Sequence, residues 1–188
     1  MTIQNIQPQV RPAPHSRKAV SIGYPSAEDG AVVNDMIARC KPLDENSLYC
    51  NLLQCSHFAE TCALARIDGV PVGFVSGYIR PDAPDTLFIW QVAVAPEARG
   101  MSLGKRMMLD ILSRDACDGV TTLHTTITSS NKASQAIFQS LANALDTSAA
   151  QQSGFDRDRH LAGSHPSETL WVIGPFDRFA LRDRRKAA

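Results

Sequence analysis

The sequence predicts one α/β (α+β) domain in which a mixed central β-sheet of about six to seven strands is flanked by helices. Three observations predict it. The chain has 188 residues, 44% of them hydrophobic, which suits a single domain with a sizeable core. Three extended apolar segments, residues 61–66, 70–79 and 87–94, follow one another with turn signals between them, the pattern of an antiparallel meander. After them strand and helix patterns alternate, which calls for parallel neighbours, and neighbouring parallel strands can splay apart.

Residues 1–18 are polar, with Pro8, Pro12 and Pro14 and little hydrophobic periodicity. Burial there would offset almost none of the entropy of ordering, so a disordered arm is expected, with the domain running over residues 19–176. Residues 19–23 are the first strand candidate. Ser26, with Asp29 three residues on, reads as the cap of a helix whose apolar stripe is Val33, Met36 and Ile37, and Pro42 ends it. Asp44 or Ser47 can cap a second helix reaching about His57, a residue given no chemistry. Asp68-Gly69 is a hairpin turn, and residues 81–85 form the next loop.

Leu103, Met107, Ile111 and Leu112 mark one face of a helix lasting to about Ala116. Residues 120–127 alternate as a strand in which His124 reads as a packed sheet residue. Asn131 starts a further helix, with Ala133, Ile137, Phe138 and Leu141 expected to face inward. Residues 146–166 are long, polar and without apolar periodicity, which inside a compact domain marks a disordered or functional loop. A strand resumes over residues 168–173, and Gly174-Pro175 ends it. Residues 177–188, with Arg178, Arg182, Arg184, Arg185 and Lys186, read as a basic, solvated tail.

Composition narrows the function. Nineteen basic and nineteen acidic side chains cancel, so no global field argues for nucleic acid or an anionic membrane. No apolar run approaches the roughly 20 residues that span a bilayer, and residues at the start lack a hydrophobic signal core. Cys40, Cys50, Cys55, Cys62 and Cys117 are odd in number and contain no Cys-x-x-Cys pair. They read as reduced thiols of a cytoplasmic protein and not as a metal site.

The stretch from Trp90 to Gly104 organises the chain: an apolar strand ends at Pro96, a glycine-bearing turn follows, and a helix starts almost at once. A helix N-terminus there leaves unpaired N–H groups and the positive end of the helix dipole at one spot, which suits a phosphate. Gly100 and Gly104 let backbone approach, and Arg99 and Lys105 add positive charge. The spacing Arg99, Ser102, Gly104 after Val92-x-Val94-x-Pro96 resembles the pyrophosphate loop of the GCN5-related N-acetyltransferases, with Ser102 standing where that superfamily has glycine. Asn131-x-x-Ser134-x-x-x-Phe138-x-x-Leu141 resembles the second half of the same signature, with Phe138 at a common tyrosine position and Ala142-Asn143 in place of Gly-Phe. The resemblance implies the GNAT fold, acetyl-CoA as co-substrate with no metal, and cofactor contacts from Val92, Val94, Arg99, Gly100, Ser102, Gly104, Lys105 and Asn131.

A narrower resemblance rests on Asp44, the run Tyr49-Cys50-Asn51-Leu52-Leu53, the run from Val72 to Tyr78, Phe88-Ile89-Trp90-Gln91 and His165-Pro166-Ser167-Glu168. These are similar to the L-2,4-diaminobutyrate acetyltransferases, over about residues 20–176. That family acetylates the 4-amino group of a small diamino acid, giving the N4-acetyl compound that cyclises to ectoine in the next step. The resemblance implies an acceptor pocket of Asp44, Tyr49, Trp90, His165 and Glu168, and a homodimer. The residue types suit the chemistry. Two ammonium groups call for carboxylates such as Asp44 and Glu168, and Trp90 offers an apolar wall and a cation-facing ring, or else core packing.

An amine of pKa near ~10.4 is about one part in a thousand neutral near pH ~7.5, equivalent to roughly 4 kcal/mol against attack, so something must take its proton. His165 titrates in the useful range, and Glu168 can orient it or hold the amine. The expected reaction is direct transfer in a ternary complex with no cysteine intermediate. Arg80 is one cation available to the substrate carboxylate. Two other readings keep the same cofactor loop: an acetyltransferase for protein N-termini or polyamines, and a non-catalytic acetyl-CoA sensor.

Overall fold

The computed structural model describes residues 19–177; the expected arm over residues 1–18 and the basic tail beyond Asp177 lie outside them. The chain builds β1 (Val20–Gly23), α1 (Gly30–Ala38), α2 (Leu48–Ser56), β2 (Ala63–Ile67), β3 (Val70–Arg80) and β4 (Ala83–Val94). It continues with α3 (Leu103–Leu112), β5 (Thr122–Thr128), α4 (Lys132–Ala144), β6 (Ala149–Ser153) and β7 (Glu168–Ile173). One seven-stranded sheet has the order β1-β2-β3-β4-β5-β7-β6. Among the described residues only β4 and β5 pair in parallel.

Local chemistry explains the elements. Ser26 and Asp29 form a reciprocal capping box ahead of α1. Of the two cap candidates for α2 it is Ser47 that serves, its side chain accepting from the Cys50 N–H at 3.1 Å. Asp68 and Gly69 both take positive φ, 51° and 81°, as the tight turn between β2 and β3 needs. Leu103, Met107, Met108, Ile111 and Leu112 of α3 are all buried.

The structure corrects the sequence reading in four places, the first being the loop expected over residues 81–85, of which only Pro81 and Asp82 lie between strands because β4 already starts at Ala83 and pairs with Arg80. The loop expected over residues 146–166 contains β6, which pairs antiparallel with β7 from Ala149↔Ile173 to Ser153↔Thr169. The helix expected to reach Ala116 ends at Leu112 and is followed by a 3-10 turn, Asp115–Cys117. Ala133 is exposed; Phe138, Leu141 and Ala142 are what α4 buries.

Side-chain alternation separates the two faces of the sheet at β4. A β-carbon placed on Gly104 of α3 would meet Val92 at 3.0 Å, so α3 covers the Val92 face. Gln91, pointing the other way, meets the loop between α1 and α2. The functional features of β4 lie between these two layers.

Candidate active site

The turn after β4 carries the first part of the site. Pro96–Ala98 make a 3-10 turn, Arg99 is extended, Gly100 takes φ 81°, and Ser102 sits in the left-handed region at φ 55°, ψ 27° as the N-cap of α3. The superfamily's usual glycine is thus replaced by a residue that tolerates this conformation less well. Arg106 N–H donates to Ser102 O at 3.0 Å, so the amides of Leu103, Gly104 and Lys105 precede the first intrahelical bond and face outward from the helix end. Arg99, Gly100 and Ser102 are exposed, while Gly104 is buried. Lys105 has its Nζ 3.0 Å from Ser140 Oγ on α4, so its side chain ties two helices together.

The second part is a gap in the sheet. β4 and β5 pair only from Thr86↔Thr122 to Phe88↔His124. Beyond that, among the described residues, no strand pairs with β4 on this side, and β5 from Thr125 to Thr128 pairs with β7 alone. The Ala95 N–H donates to Val72 O at 2.9 Å, which makes Ala95, Ala93 and Gln91 the residues whose backbone faces β3. By alternation the N–H and C=O of Val92 and Val94 face the gap. Asn131 caps α4 at the far end of β5, its Oδ1 accepting from Ser134 N–H at 3.0 Å. An unpaired strand edge leading to a row of free amides fits a long amide-bearing chain that ends in a diphosphate. Phe138 is buried and brings no hydroxyl to the gap.

The third part lies on the opposite face. Ser76 pairs with Gln91 and Gly77 with Ile89, which leaves Trp90 as the extra residue of a β-bulge. Trp90 is 54% exposed and Tyr49, in the first turn of α2, 70%, so neither is a core residue. The loop holding Asp44 is fastened to the bulge: Gln91 Nε2 donates to the Asp44 carbonyl at 2.8 Å, and Asn46 Nδ2 donates to Gln91 Oε1 at 3.2 Å. The Asp44 carboxylate is exposed and in no ion pair among the described residues.

Across the gap, continuing the β4–β5 register sets Thr126 level with Trp90. The Thr126 hydroxyl donates to Glu168 Oε2 at 2.5 Å, leaving Oε1 without a partner among the described residues. His165 is exposed in the turn-rich segment before β7, with no hydrogen-bond partner among the described residues. The fold therefore ties the Asp44 loop to the strand that carries Trp90 on one side of the gap and sets Glu168 on the other, while Tyr49 is exposed in the first turn of α2. His165 stands nearby in sequence without a contact that orients it.

Gln91 and Thr126 were not among the sequence-derived site residues. Gln91 did leave a signal, as the one polar residue in the run from Leu87 to Val94. Arg80 is held by Asp82 through Nε (3.1 Å) and Nη2 (2.6 Å), and its Nη1 lies 3.1 Å from His124 Nδ1. Burial and then the nearby Arg80 charge push His124 below its ordinary value, so the imidazole stays neutral and packed. Among the described residues no group of acidic, cysteine or histidine side chains is arranged to hold a metal, and no helix is long and apolar enough to cross a membrane.

The chain matches the family model described as "Acetyltransferase (GNAT) family" over residues 32–142. It is 50% identical over 157 residues to the L-2,4-diaminobutyric acid acetyltransferase of Methylotuvimicrobium alcaliphilum, covering 84% of this chain and 91% of that one. It is 44% identical over 149 residues to the enzyme of the same name from Vibrio cholerae, covering 79% and 86%. Among solved structures, diaminobutyrate acetyltransferase EctA from Paenibacillus lautus, in complex with L-2,4-diaminobutyric acid and coenzyme A, superposes with a TM-score of 0.81. It has 37% identity and covers 85% of this chain and 97% of that one.

Proposed function

We infer that this chain, which belongs to the acetyltransferase (GNAT) family and within it to the L-2,4-diaminobutyric acid acetyltransferases, transfers the acetyl group of acetyl-CoA to L-2,4-diaminobutyrate. The 4-amino group is the acceptor, and N4-acetyl-L-2,4-diaminobutyrate, the precursor of ectoine, is the product. The observation that carries the chemistry is the unpaired edge of β4, which leads from the exposed Trp90 to the free amides at the start of α3.

In this reading the catalytic unit spans residues 19–176. Val92 and Val94 bind the cofactor's pantetheine arm through their backbone groups. Arg99, Gly100, Ser102, Gly104 and Lys105 hold its diphosphate, and Asn131 fixes the first turn of α4 beside it. Trp90 walls the acceptor, Asp44 and Glu168 face its ammonium groups, and Tyr49 closes the pocket. His165 takes the proton as the amine nitrogen bonds to the thioester carbon, a strand N–H stabilises the oxyanion, and the C–S bond breaks to release thiolate. A thiol of pKa near ~8.5 leaves without help from a hydroxyl at Phe138.

The enzyme is placed in the cytoplasm as a homodimer. Its five cysteines, none of them in a disulfide, support the first assignment, and resemblance to the diaminobutyrate acetyltransferases supports the second; sedimentation of the full chain tests it. The reaction is tested by thiol release from acetyl-CoA over a panel of diamines, amino acids and peptides. Fastest turnover is expected with L-2,4-diaminobutyrate. Preference for peptide N-termini, or silence with every amine, overturns the assignment.

A further inference from the structure

We propose that Gln91 is a positioning residue for the acceptor, the part that holds the α1–α2 loop in register with the reacting strand; this rests on the reading of Asp44 and Trp90 as acceptor contacts. Gln91 directly follows the bulge residue Trp90 on the strand whose Val92 and Val94 face the gap, while its own backbone pairs with Ser76 of β3. Its side chain leaves the sheet on the other face and uses both ends of its amide on one loop. Nε2 donates to the Asp44 carbonyl at 2.8 Å, and Oε1 accepts from Asn46 Nδ2 at 3.2 Å.

These contacts span 47 and 45 residues of sequence, so they are long-range fastenings and not local turn bonds. Within the loop Lys41 pairs with the exposed Glu45 and the Leu43 N–H donates to Cys40 O at 3.1 Å, but these local bonds do not reach the sheet. Leu43 packs on the core at one end, Ser47 caps α2 at the other, and Asp44 and Glu45 between them are exposed. Without the amide the Asp44 carboxylate would have no fixed distance from the bulge. Moving a substrate-holding group by about 1 Å is enough to cost on the order of a hundredfold in rate. A glutamine is required because the two partners are of opposite kind, one carbonyl acceptor and one amide donor. Glutamate keeps the size and the acceptor for Asn46 but turns an oxygen toward the Asp44 carbonyl.

The test is steady-state kinetics of Gln91→Glu, Asn46→Ala and Asp44→Asn, with KM measured separately for L-2,4-diaminobutyrate and acetyl-CoA. Gln91→Glu is expected to raise the diamine KM about tenfold or more while acetyl-CoA KM stays within about twofold. Asn46→Ala, which leaves the strand untouched, is expected to do the same more weakly, by about threefold. Adding Asp44→Asn to Gln91→Glu is expected to cost less than the sum of the two single effects, because both act through one loop. If Asp44→Asn alone leaves the diamine KM unchanged, the reading of the acceptor pocket has failed. If Asp44→Asn raises it while Gln91→Glu and Asn46→Ala do not, or if Gln91→Glu raises both KM values equally, the positioning role is overturned. Should Gln91→Glu not fold, Asn46→Ala decides alone.

Discussion

Gly104 and Val92 approach so closely that a β-carbon on Gly104 would lie 3.0 Å from Val92 Cγ1. The contact seats the first turn of α3 on the strand whose neighbouring edge is open, so phosphate-facing amides and the strand edge keep one fixed offset. Gly104→Ala is expected to push the helix end outward at a cost of about 1 kcal/mol, seen as a roughly fivefold weaker Kd for coenzyme A by calorimetry. Gly104→Ala combined with Val92→Ala restores the space and should recover most of the loss. Unaltered affinity in Gly104→Ala would separate this contact from cofactor binding.

Ser102 holds a left-handed conformation, φ 55° and ψ 27°, with no side-chain bond to the helix it caps. The strain of a β-carbon there, about 1 kcal/mol or more, exceeds the conformational freedom that glycine would lose on folding. Ser102→Gly should therefore raise stability by up to about 1 kcal/mol and Tm by roughly 2–4 °C. A β-branched residue such as valine at the same position should lower both. A drop in Tm for Ser102→Gly would show that the hydroxyl contributes more than the strain costs.

The parts of this arrangement legible in the sequence are those governed by local chemistry. Asp68-Gly69 announces a turn because both residues accept positive φ, and the apolar stripe of α3 announces its buried face. β6 was not legible, since Ala149-Ala150-Gln151-Gln152-Ser153 has no apolar alternation; it forms because β7 offers an edge to pair with. The loop fastening by Gln91 was equally hidden, because it depends on a β-bulge and a partner 47 residues away. The resemblance to the diaminobutyrate acetyltransferases implies His165 and its residue type suits the chemistry, but neither fixes where the imidazole points.

Burial pushes the thiols of Cys55 and Cys62 up to about 12, and Cys40 and Cys117 are buried too, which leaves Cys50 as the one cysteine with partial exposure. A protonated, enclosed thiol is a poor nucleophile. Burial raises the Cys50 thiol as well, so it is exposure that sets it apart, and alkylation of the folded enzyme at pH ~8 should be slow and stop at one adduct, on Cys50. Incubation with acetyl-CoA and no amine should leave the mass of the chain unchanged. An acetylated cysteine in that experiment would replace direct transfer with a two-step route.

Arg114 is a structural hub away from the reacting groups. Its Nε and Nη2 bond Asp110 Oδ2 at 3.1 and 2.7 Å, and Nη1 reaches the carbonyls of Ala59, Glu60 and Cys62 at 3.2, 3.0 and 2.6 Å. The guanidinium also stacks 4.0 Å from the Tyr24 ring centroid. Arg114→Leu strands those acceptors and should cost about 3 kcal/mol, or roughly 6–12 °C in Tm. Both KM values of the surviving folded protein should stay as in the parent. Lysine at this site should rescue little, since it lacks the planar fork that makes five bonds to four acceptors at once.

Acid should unfold the protein partly through Asp29. Burial works against the charge of this carboxylate, but bonds from Arg66 at 2.7 Å and from the N–H and hydroxyl of Ser26 outweigh it and hold the pKa below the usual carboxylate range. A group depressed in the folded state binds its proton more readily when unfolded. Its stabilisation is therefore present above the unfolded value of about 3.9 and is lost as pH falls from there through the folded value. Asp29→Asn should lower the urea midpoint at pH ~7, and the gap between variant and parent should narrow as pH drops below about 4. A gap that stays constant from neutral pH to the acid limit would mean that Asp29 stabilises by its shape and hydrogen bonds alone, with no contribution from its charge.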